Sequence, residues 1–312
     1  VILQKESIQN VKNINIIEYD IYLKMKKETE ILDKAIVSEL IKTHYNSSKY
    51  YRYKKRFSYL HSSNVFRVDL TVVKTSRHNS NNLIQSGTMT QNEKFEIEIE
   101  FLNNSQSVSL HEDKCIEILF NIIEILLQVI DKTHNIMSNT NKNLILIEYL
   151  QLVSPKIITE SKNDMVNYIN TKILTNPKRY FLSYQPITLE KHNLQEPVLG
   201  NVSIHDNYTV TEKTDGERLL LYVSKNNNIY TIDTRLSIRD VGVKCKTANC
   251  IIDGEYVRRS KYGTIINKFM CFDIYFYDKE DTRNIELYGE KDSRLSLLEI
   301  FVNECEKNKQ FN

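Results

Sequence analysis

Lys213-Thr214-Asp215-Gly216-Glu217-Arg218 is the stretch whose reading decides the fold of the second half of the chain. The run before it, residues 208–212, predicts a short strand that leads directly into the lysine. The Asp-Gly pair allows a tight turn, because glycine tolerates positive φ at little cost. Lys213 is thereby placed at a strand end, projecting into the cleft that the sheet lines. An ordinary lysine, with a pKa of about 10.4, is a poor nucleophile, since neutralising it at pH 7 costs about 4.6 kcal/mol. A neighbouring cation, Arg218 or a bound metal, together with partial burial, lowers that cost. Taken alone, the hexapeptide fits a solvated charged turn as well.

Two further elements follow it in order. Ile251-Ile252-Asp253-Gly254-Glu255-Tyr256-Val257 is an apolar strand with an embedded Asp-Gly-Glu, and Phe269-Met270-Cys271-Phe272-Asp273-Ile274 is a second apolar strand carrying an aromatic and a carboxylate. Together, the three resemble motifs I, III and IIIa of the covalent nucleotidyltransferases, the superfamily of capping guanylyltransferases and ATP- or NAD-dependent polynucleotide ligases. The resemblance implies that Lys213 attacks the α-phosphate of a bound nucleotide, expels pyrophosphate, and passes the nucleotide to a 5′-diphosphate RNA end. By the same resemblance Arg218 and Glu255 contact the ribose, Glu255 also lies near the metal, and Phe272 stacks on the base. Arg235, in Thr234-Arg235-Leu236, is either a phosphate contact or solvated surface. Charge on the phosphoryl group calls for cationic side chains and a divalent metal, Mg2+ or Mn2+. The family's later lysine motifs and its closing OB-fold are expected beyond Asn312.

Composition limits the alternatives. The 312 residues allow two ordinary domains. With 41% hydrophobic and 26% charged residues, the chain reads as globular. A net charge of +2 is too small to attract a polyanion globally, so any such site needs local clustering. Five cysteines in no Cys-x-x-Cys pair predict free thiols in a reducing compartment and no structural zinc. Val1–Gln9 lacks a signal-peptide pattern. Ile116–Ile130 is apolar but too short to span a membrane. Its polar positions Glu117, Asn121, Glu124 and Gln128 form one narrow stripe, which predicts a largely buried helix.

In the first half, Lys94-Phe95-Glu96-Ile97-Glu98-Ile99-Glu100-Phe101 puts three glutamates on one strand face. Carboxylates about 7 Å apart repel by about 2.4 kcal/mol per adjacent pair at an effective dielectric near 20. Solvent relieves this on an exposed face, whereas a buried face needs cations or a metal. Arg52, Lys54 and Arg56 alternate in Tyr51–Tyr59, and Arg67, Asp69 and Thr71 in Phe66–Val72. A closed barrel would turn all three faces inward around a triphosphate.

This order of strands resembles the tunnel-type, metal-dependent RNA triphosphatases. Its fusion to a guanylyltransferase looks like the capping enzymes of mimivirus-like and other cytoplasmic DNA viruses. The resemblance makes Glu96 and Glu98 catalytic metal-site carboxylates, with Glu100 a third ligand. Lys54, Arg56 and Arg67 hold phosphate oxygens, Asp69 organises them, and Lys24 or Lys26 adds a contact. The family's first-strand Glu-x-Glu is expected before Val1, which therefore starts inside the domain.

The expected fold is α+β: a partial antiparallel β tunnel with packing helices over residues 1–155, then a partial nucleotidyltransferase domain over 156–312. All four prolines, Pro155, Pro177, Pro186 and Pro197, fall in one stretch that marks the connection. Strands are predicted at 17–27, 50–60, 65–75, 94–102, 208–212, 218–224, 228–233, 251–257 and 267–277. Helices are predicted at 112–132, 142–153 and near 293–306. The expected substrates are GTP and 5′-triphosphate RNA, with a methyltransferase domain or subunit as partner, no membrane, and a cytoplasmic setting in a viral factory or virion. The competing readings are an ATP-dependent RNA or DNA ligase and a non-catalytic RNA-binding subunit.

Overall fold

A computed structural model describes residues 2–8, 12–44, 46–157, 162–184, 187–197, 202–206, 208–211, 213–289 and 292–307. Glu212 and Pro186 lie outside the described residues. The chain forms two compact units, Val1–Leu126 and Leu127–Asn312. The proline-bearing stretch, read as the connection, therefore lies inside the second unit.

In the first unit β1 (Leu3–Ser7), β2 (Ile14–Ile16), β3 (Ile21–Leu23) and β4 (Lys26–Glu30) make two antiparallel pairs, β1 with β4 and β2 with β3. The single strand expected over 17–27 is therefore broken. Ile17–Tyr19 is a 3-10 turn and Asp20 adopts φ 54°, so Glu18 and Asp20 do not share a strand face. Helix α1 (Lys34–Thr43) begins where the Asp33 carboxylate accepts the amides of Ala35 and Ile36.

β5 (Arg52–Leu60), β6 (Phe66–Thr75) and β7 (Lys94–Phe101) form an antiparallel sheet in that order. It is followed by α2 (Ser105–Ser109) and α3 (Glu112–Asp131). Among the described residues this sheet is open, with three strands, and shares no strand with the two small pairs, so no closed barrel is formed. Cys115, Ile118, Leu119, Ile122 and Leu126 follow a helical period and pack over Phe66, Val68 and Ile99. The opposite side of α3 is not covered: Phe120 is 62% and Val129 70% exposed. The expectation of a largely buried helix fails because a single sheet covers only one stripe.

In the second unit α4 (Asn139–Val153), N-capped by Ser138 on the Asn141 amide, and α5 (Lys162–Tyr168) precede a six-stranded antiparallel sheet. Its strands are β8 (Glu217–Val223), β9 (Asn228–Ile232), β10 (Ile238–Lys244), β11 (Cys250–Arg259), β12 (Ile265–Tyr277) and β13 (Glu280–Asp281), in the order β10-β9-β8-β11-β12-β13. Helix α6 (Arg294–Lys307) closes the fold. β8 reads as a continuous apolar run because both faces are covered. Leu220, Tyr222 and Ile251 pack with Leu146, Tyr149 and Leu150 of α4, while Leu221, Val223 and Ile252 pack with Leu298 and Phe301 of α6. Each such aliphatic side chain contributes about 1.5–3 kcal/mol by leaving water. Asp273 ties α6 to the sheet by accepting Arg294 Nε at 2.7 Å.

The α+β class with antiparallel sheets is as expected from sequence. Residues 208–211 are not a strand, and Val210 is fully exposed. Strand propensity there finds no pairing partner among the described residues. β10 is an unpredicted edge strand whose pattern is interrupted by Arg239, Asp240 and Gly242, the last at φ 76°.

Gly254 leaves no room for a side chain between β11 and β12: a Cβ there would overlap the Phe269 ring and lie 2.6 Å from the Met270 carbonyl oxygen. Gly254→Ala is expected to destabilise the chain by about 1–3 kcal/mol, read as a lower urea midpoint at unchanged slope.

Candidate active site

Lys213 lies four residues ahead of β8, with its side chain 85% exposed. The turn that carries it is fastened to β11 by one hydrogen bond, from the Gly216 amide to Glu255 Oε1 at 2.6 Å. Gly216 is required by close approach and not by positive φ. A Cβ there would overlap the Tyr256 carbonyl oxygen and lie 2.9 Å from Glu255 Cγ. Arg218 and Glu255 are cross-strand partners, and Asp253 opposite Leu220 continues the same face. The hexapeptide and the Asp-Gly-Glu strand are thus brought together by strand register and by the hydrogen bonds of Glu255 and Asp253.

Asp253 is 0% exposed and collects hydrogen bonds from three residues. Arg218 Nη2 reaches its Oδ2 at 2.7 Å and Nε its Oδ1 at 3.2 Å, while the Tyr275 hydroxyl donates at 2.6 Å and Ser183 Oγ at 3.2 Å. The hydrogen bond to Asp253 raises the Arg218 pKa, so the guanidinium is permanently charged. Burial, followed by the Asp253 charge, pushes the Tyr275 phenol up as well, keeping it a donor. The Ser183 segment is pinned from α4: the Tyr149 hydroxyl donates to the Tyr180 carbonyl at 2.9 Å and accepts the Leu182 amide at 2.8 Å. Arg218 also lies over the Phe272 ring, 5.5 Å from its centroid. Arg235 is exposed on the turn after β9, where Asp233 accepts its backbone amide at 2.8 Å.

One electrostatic expectation is reversed. Arg218 is committed to Asp253, so it does not lower the Lys213 pKa. Instead Asp215 Oδ1 accepts from Lys213 Nζ at 2.7 Å, and that hydrogen bond, reinforced by its charge, raises the Lys213 pKa. The reciprocal interaction lowers the pKa of Asp215. Asp253, Tyr275 and Ser183 were not singled out from sequence. Asp253 was visible inside the Asp-Gly-Glu run and Tyr275 within the following strand, whereas Ser183 carries no local signal.

In the first unit the strand register puts the three charged sets on one face. Arg56 stands opposite Thr71 and Thr71 opposite Glu96, while Arg67 faces Glu100 and Asp69 faces Glu98. Arg52 binds Glu96 at 2.6 Å; Arg56 binds Glu98 and Asp69, each at 2.9 Å; Arg67 binds Asp69 at 3.0 Å and also Glu100. Asp69 is fully buried, which opposes its ionisation, yet hydrogen bonds from Ser58 and Arg67 and the charges of Arg67 and Arg56 hold its pKa below the ordinary carboxylate range. Lys54 is on the same face, exposed, and makes no ion pair among the described residues. Lys24 and Lys26 lie in or beside the separate two-stranded pairs, where the Lys24 charge lowers the Lys26 pKa.

Among the described residues no three His, Cys, Asp or Glu side chains converge as a metal cluster. Glu96, Glu98 and Glu100 are each ion-paired with an arginine instead. The donor chemistry nevertheless suits a hard divalent cation, and Thr71 Oγ1, between Arg56 and Glu96 in the register, is buried without a hydrogen-bond partner. All five cysteines are free thiols, and no described helix is long and apolar enough to cross a membrane.

Two family models match the chain. One described as "mRNA capping enzyme, catalytic domain" covers residues 147–310, more than half of the chain, and one described as "mRNA capping enzyme, beta chain" covers residues 9–137. The chain is also similar to a "Probable mRNA-capping enzyme" of Acanthamoeba polyphaga mimivirus. The two are 24% identical over 258 residues, which cover 82% of this chain and 18% of that relative. The chain thus spans less than a fifth of the relative's length.

Because Asp215 is what raises the Lys213 pKa, Asp215→Asn is expected to move Lys213 titration to lower pH. The pH dependence of Lys213 acylation by a small amine-reactive reagent measures this, and an unchanged profile would contradict the assignment.

Proposed function

The chain belongs to the mRNA capping enzyme family, and on that premise we propose that it removes the γ-phosphate from 5′-triphosphate RNA and caps the product with GMP. The second unit is assigned the guanylyltransferase step. Lys213 Nζ, once released by Asp215 and deprotonated, attacks the α-phosphorus of GTP; a P–N bond forms as the bond to pyrophosphate breaks. The terminal phosphate oxygen of a 5′-diphosphate RNA then attacks the same phosphorus, breaking the P–N bond and freeing Lys213. Arg218 and Glu255 meet the ribose, Phe272 stacks the guanine on the side that Arg218 leaves open, and Arg235 meets a phosphate. The observation that carries this reading is the bond from the Gly216 amide to Glu255, which sets the lysine turn beside the Arg218–Glu255 pair.

The first unit is assigned the triphosphatase step. Lys54, Arg56 and Arg67 bind the triphosphate oxygens, with Asp69 holding Arg56 and Arg67 in place. Glu96, Glu98 and Glu100 would hold Mg2+ or Mn2+, which when bound neutralises phosphate charge. The ion pairs of Glu96, Glu98 and Glu100 with arginines are partly exposed, so each contributes about 0–1 kcal/mol, and a polyanion can replace these carboxylates on the arginines at small cost. A cytoplasmic setting and a methyltransferase domain or subunit accompany this assignment.

With α-labelled GTP the chain is expected to form an alkali-stable, acid-labile lysine-linked adduct that Lys213→Ala abolishes. An adduct from ATP but not from GTP would replace capping with polynucleotide ligation. Glu96→Ala and Glu98→Ala are each expected to abolish metal-dependent phosphate release from 5′-triphosphate RNA while leaving the adduct intact; unchanged release would overturn the triphosphatase assignment.

A further inference from the structure

The hairpin formed by β11 and β12 continues outward from the lysine site. Between Glu255 and Asp273 the sequence holds no carboxylate but four cations, Arg258, Arg259, Lys261 and Lys268, in a chain whose totals are nearly balanced at 42 basic and 40 acidic residues. All four are exposed and, among the described residues, none makes an ion pair. This sets them apart from Arg52, Arg56, Arg67 and Arg218, each of which is spent on a carboxylate.

The tip is built, not loose. Gly263 turns the chain at φ 83°, its amide donates to the Ser260 carbonyl at 2.9 Å, and the Ser260 amide donates to the Thr264 carbonyl at 2.8 Å. Arg259 Nη1 closes the turn on the Gly263 carbonyl at 2.9 Å, and the Tyr256 hydroxyl bridges to Asn267 Oδ1 at 3.0 Å. Tyr262, 82% exposed, is presented at the end with Lys261 Nζ 5.1 Å from its ring centroid. Met270 is the partner of Glu255 and Lys268 the partner of Val257, so Lys268 and Met270 share the face of Glu255. From Glu255 to the strand end at Arg259 is about 13 Å.

We propose that this hairpin docks the single-stranded 5′ end of the RNA that receives the nucleotide, its phosphates on Arg258, Arg259, Lys261 and Lys268 and one base on Tyr262. The proposal rests on the capping assignment for the choice of RNA. Unbalanced cations beside an exposed aromatic suit a flexible polyanion with stackable faces. An acidic polypeptide would use the charges but not the ring.

The test is binding of a 5′-diphosphate single-stranded RNA oligonucleotide to the chain, by fluorescence anisotropy across a salt series. R258A/R259A/K261A is expected to weaken binding at least tenfold and to flatten the plot of log K against log salt by about 0.7 for each phosphate no longer neutralised. Tyr262→Ala is expected to weaken binding by about fivefold or more with the slope unchanged. Nucleotide adduct formation without RNA, measured on the same preparations, should stay at the level of the unsubstituted chain. Unchanged affinity and slope in both variants would overturn the proposal. So would equal losses for an acidic peptide of matching charge with Tyr262→Ala silent, which would leave a general polyanion surface. Loss of RNA binding as expected, with no adduct even in the unsubstituted chain, would sink the capping assignment and overturn the acceptor role of the docked RNA, leaving only a single-stranded RNA-binding hairpin.

Discussion

The ion pair between Arg218 and the buried carboxylate of Asp253 is the constraint on which the second unit's site depends. A carboxylate withdrawn from water costs several kcal/mol unless its oxygens are fully engaged. Asp253 meets that demand with Arg218, Tyr275 and Ser183, drawn from β8, β12 and the segment beneath α4. Satisfying one buried charge therefore fixes three pieces of chain at the same end of the sheet. It also determines what Arg218 can do: its guanidinium is held over Phe272 and is not free to depress the pKa of Lys213. Lys213 is left to Asp215, whose hydrogen bond and charge raise its pKa.

The first unit handles charge in the opposite way. On the face of β5, β6 and β7, Glu96, Glu98 and Glu100 are partly exposed, and each is ion-paired with an arginine. Such pairs add little stability, so the face is held together by sheet register and by the apolar contacts of α3, not by its own charges. A face of this kind can lose individual ion pairs without unfolding. Its ordering depends on Asp69, whose burial ties Arg56 and Arg67 to one point.

Much of this was legible locally. The alternation in β5, β6 and β7 determined which residues share a face, because side chains in a strand repeat every two residues. The three motif stretches named Lys213, Arg218, Glu255 and Phe272 in an order that spacing alone made unlikely to arise by accident. Failures cluster where a local signal needs a distant partner. Residues 208–211 have strand propensity but nothing to pair with among the described residues, α3 has an apolar surface wider than the one sheet that covers it, and β10 is an edge strand bent by Gly242. Helix α4, read with the first half, packs against β8 and β11, since periodicity shows that a helix has an apolar face but not which sheet receives it.

The sequence by itself determined the chemistry available: a lysine in a Lys-x-Asp-Gly-x-Arg run, carboxylates repeated at strand spacing, and cations at the same period on neighbouring strands. Those are properties of residue type and periodicity, which need no fold to be read. Only the tertiary structure decided who neutralises whom. Arg218 goes to Asp253 and not to the lysine, Lys213 goes to Asp215, and Glu96, Glu98 and Glu100 go to arginines, because charge pairing acts through space over a few ångströms and falls to partners that register and burial bring near. The hexapeptide presents Lys213 beside Asp215 and Arg218; the fold determines that Asp215 holds the lysine while Asp253 holds the arginine.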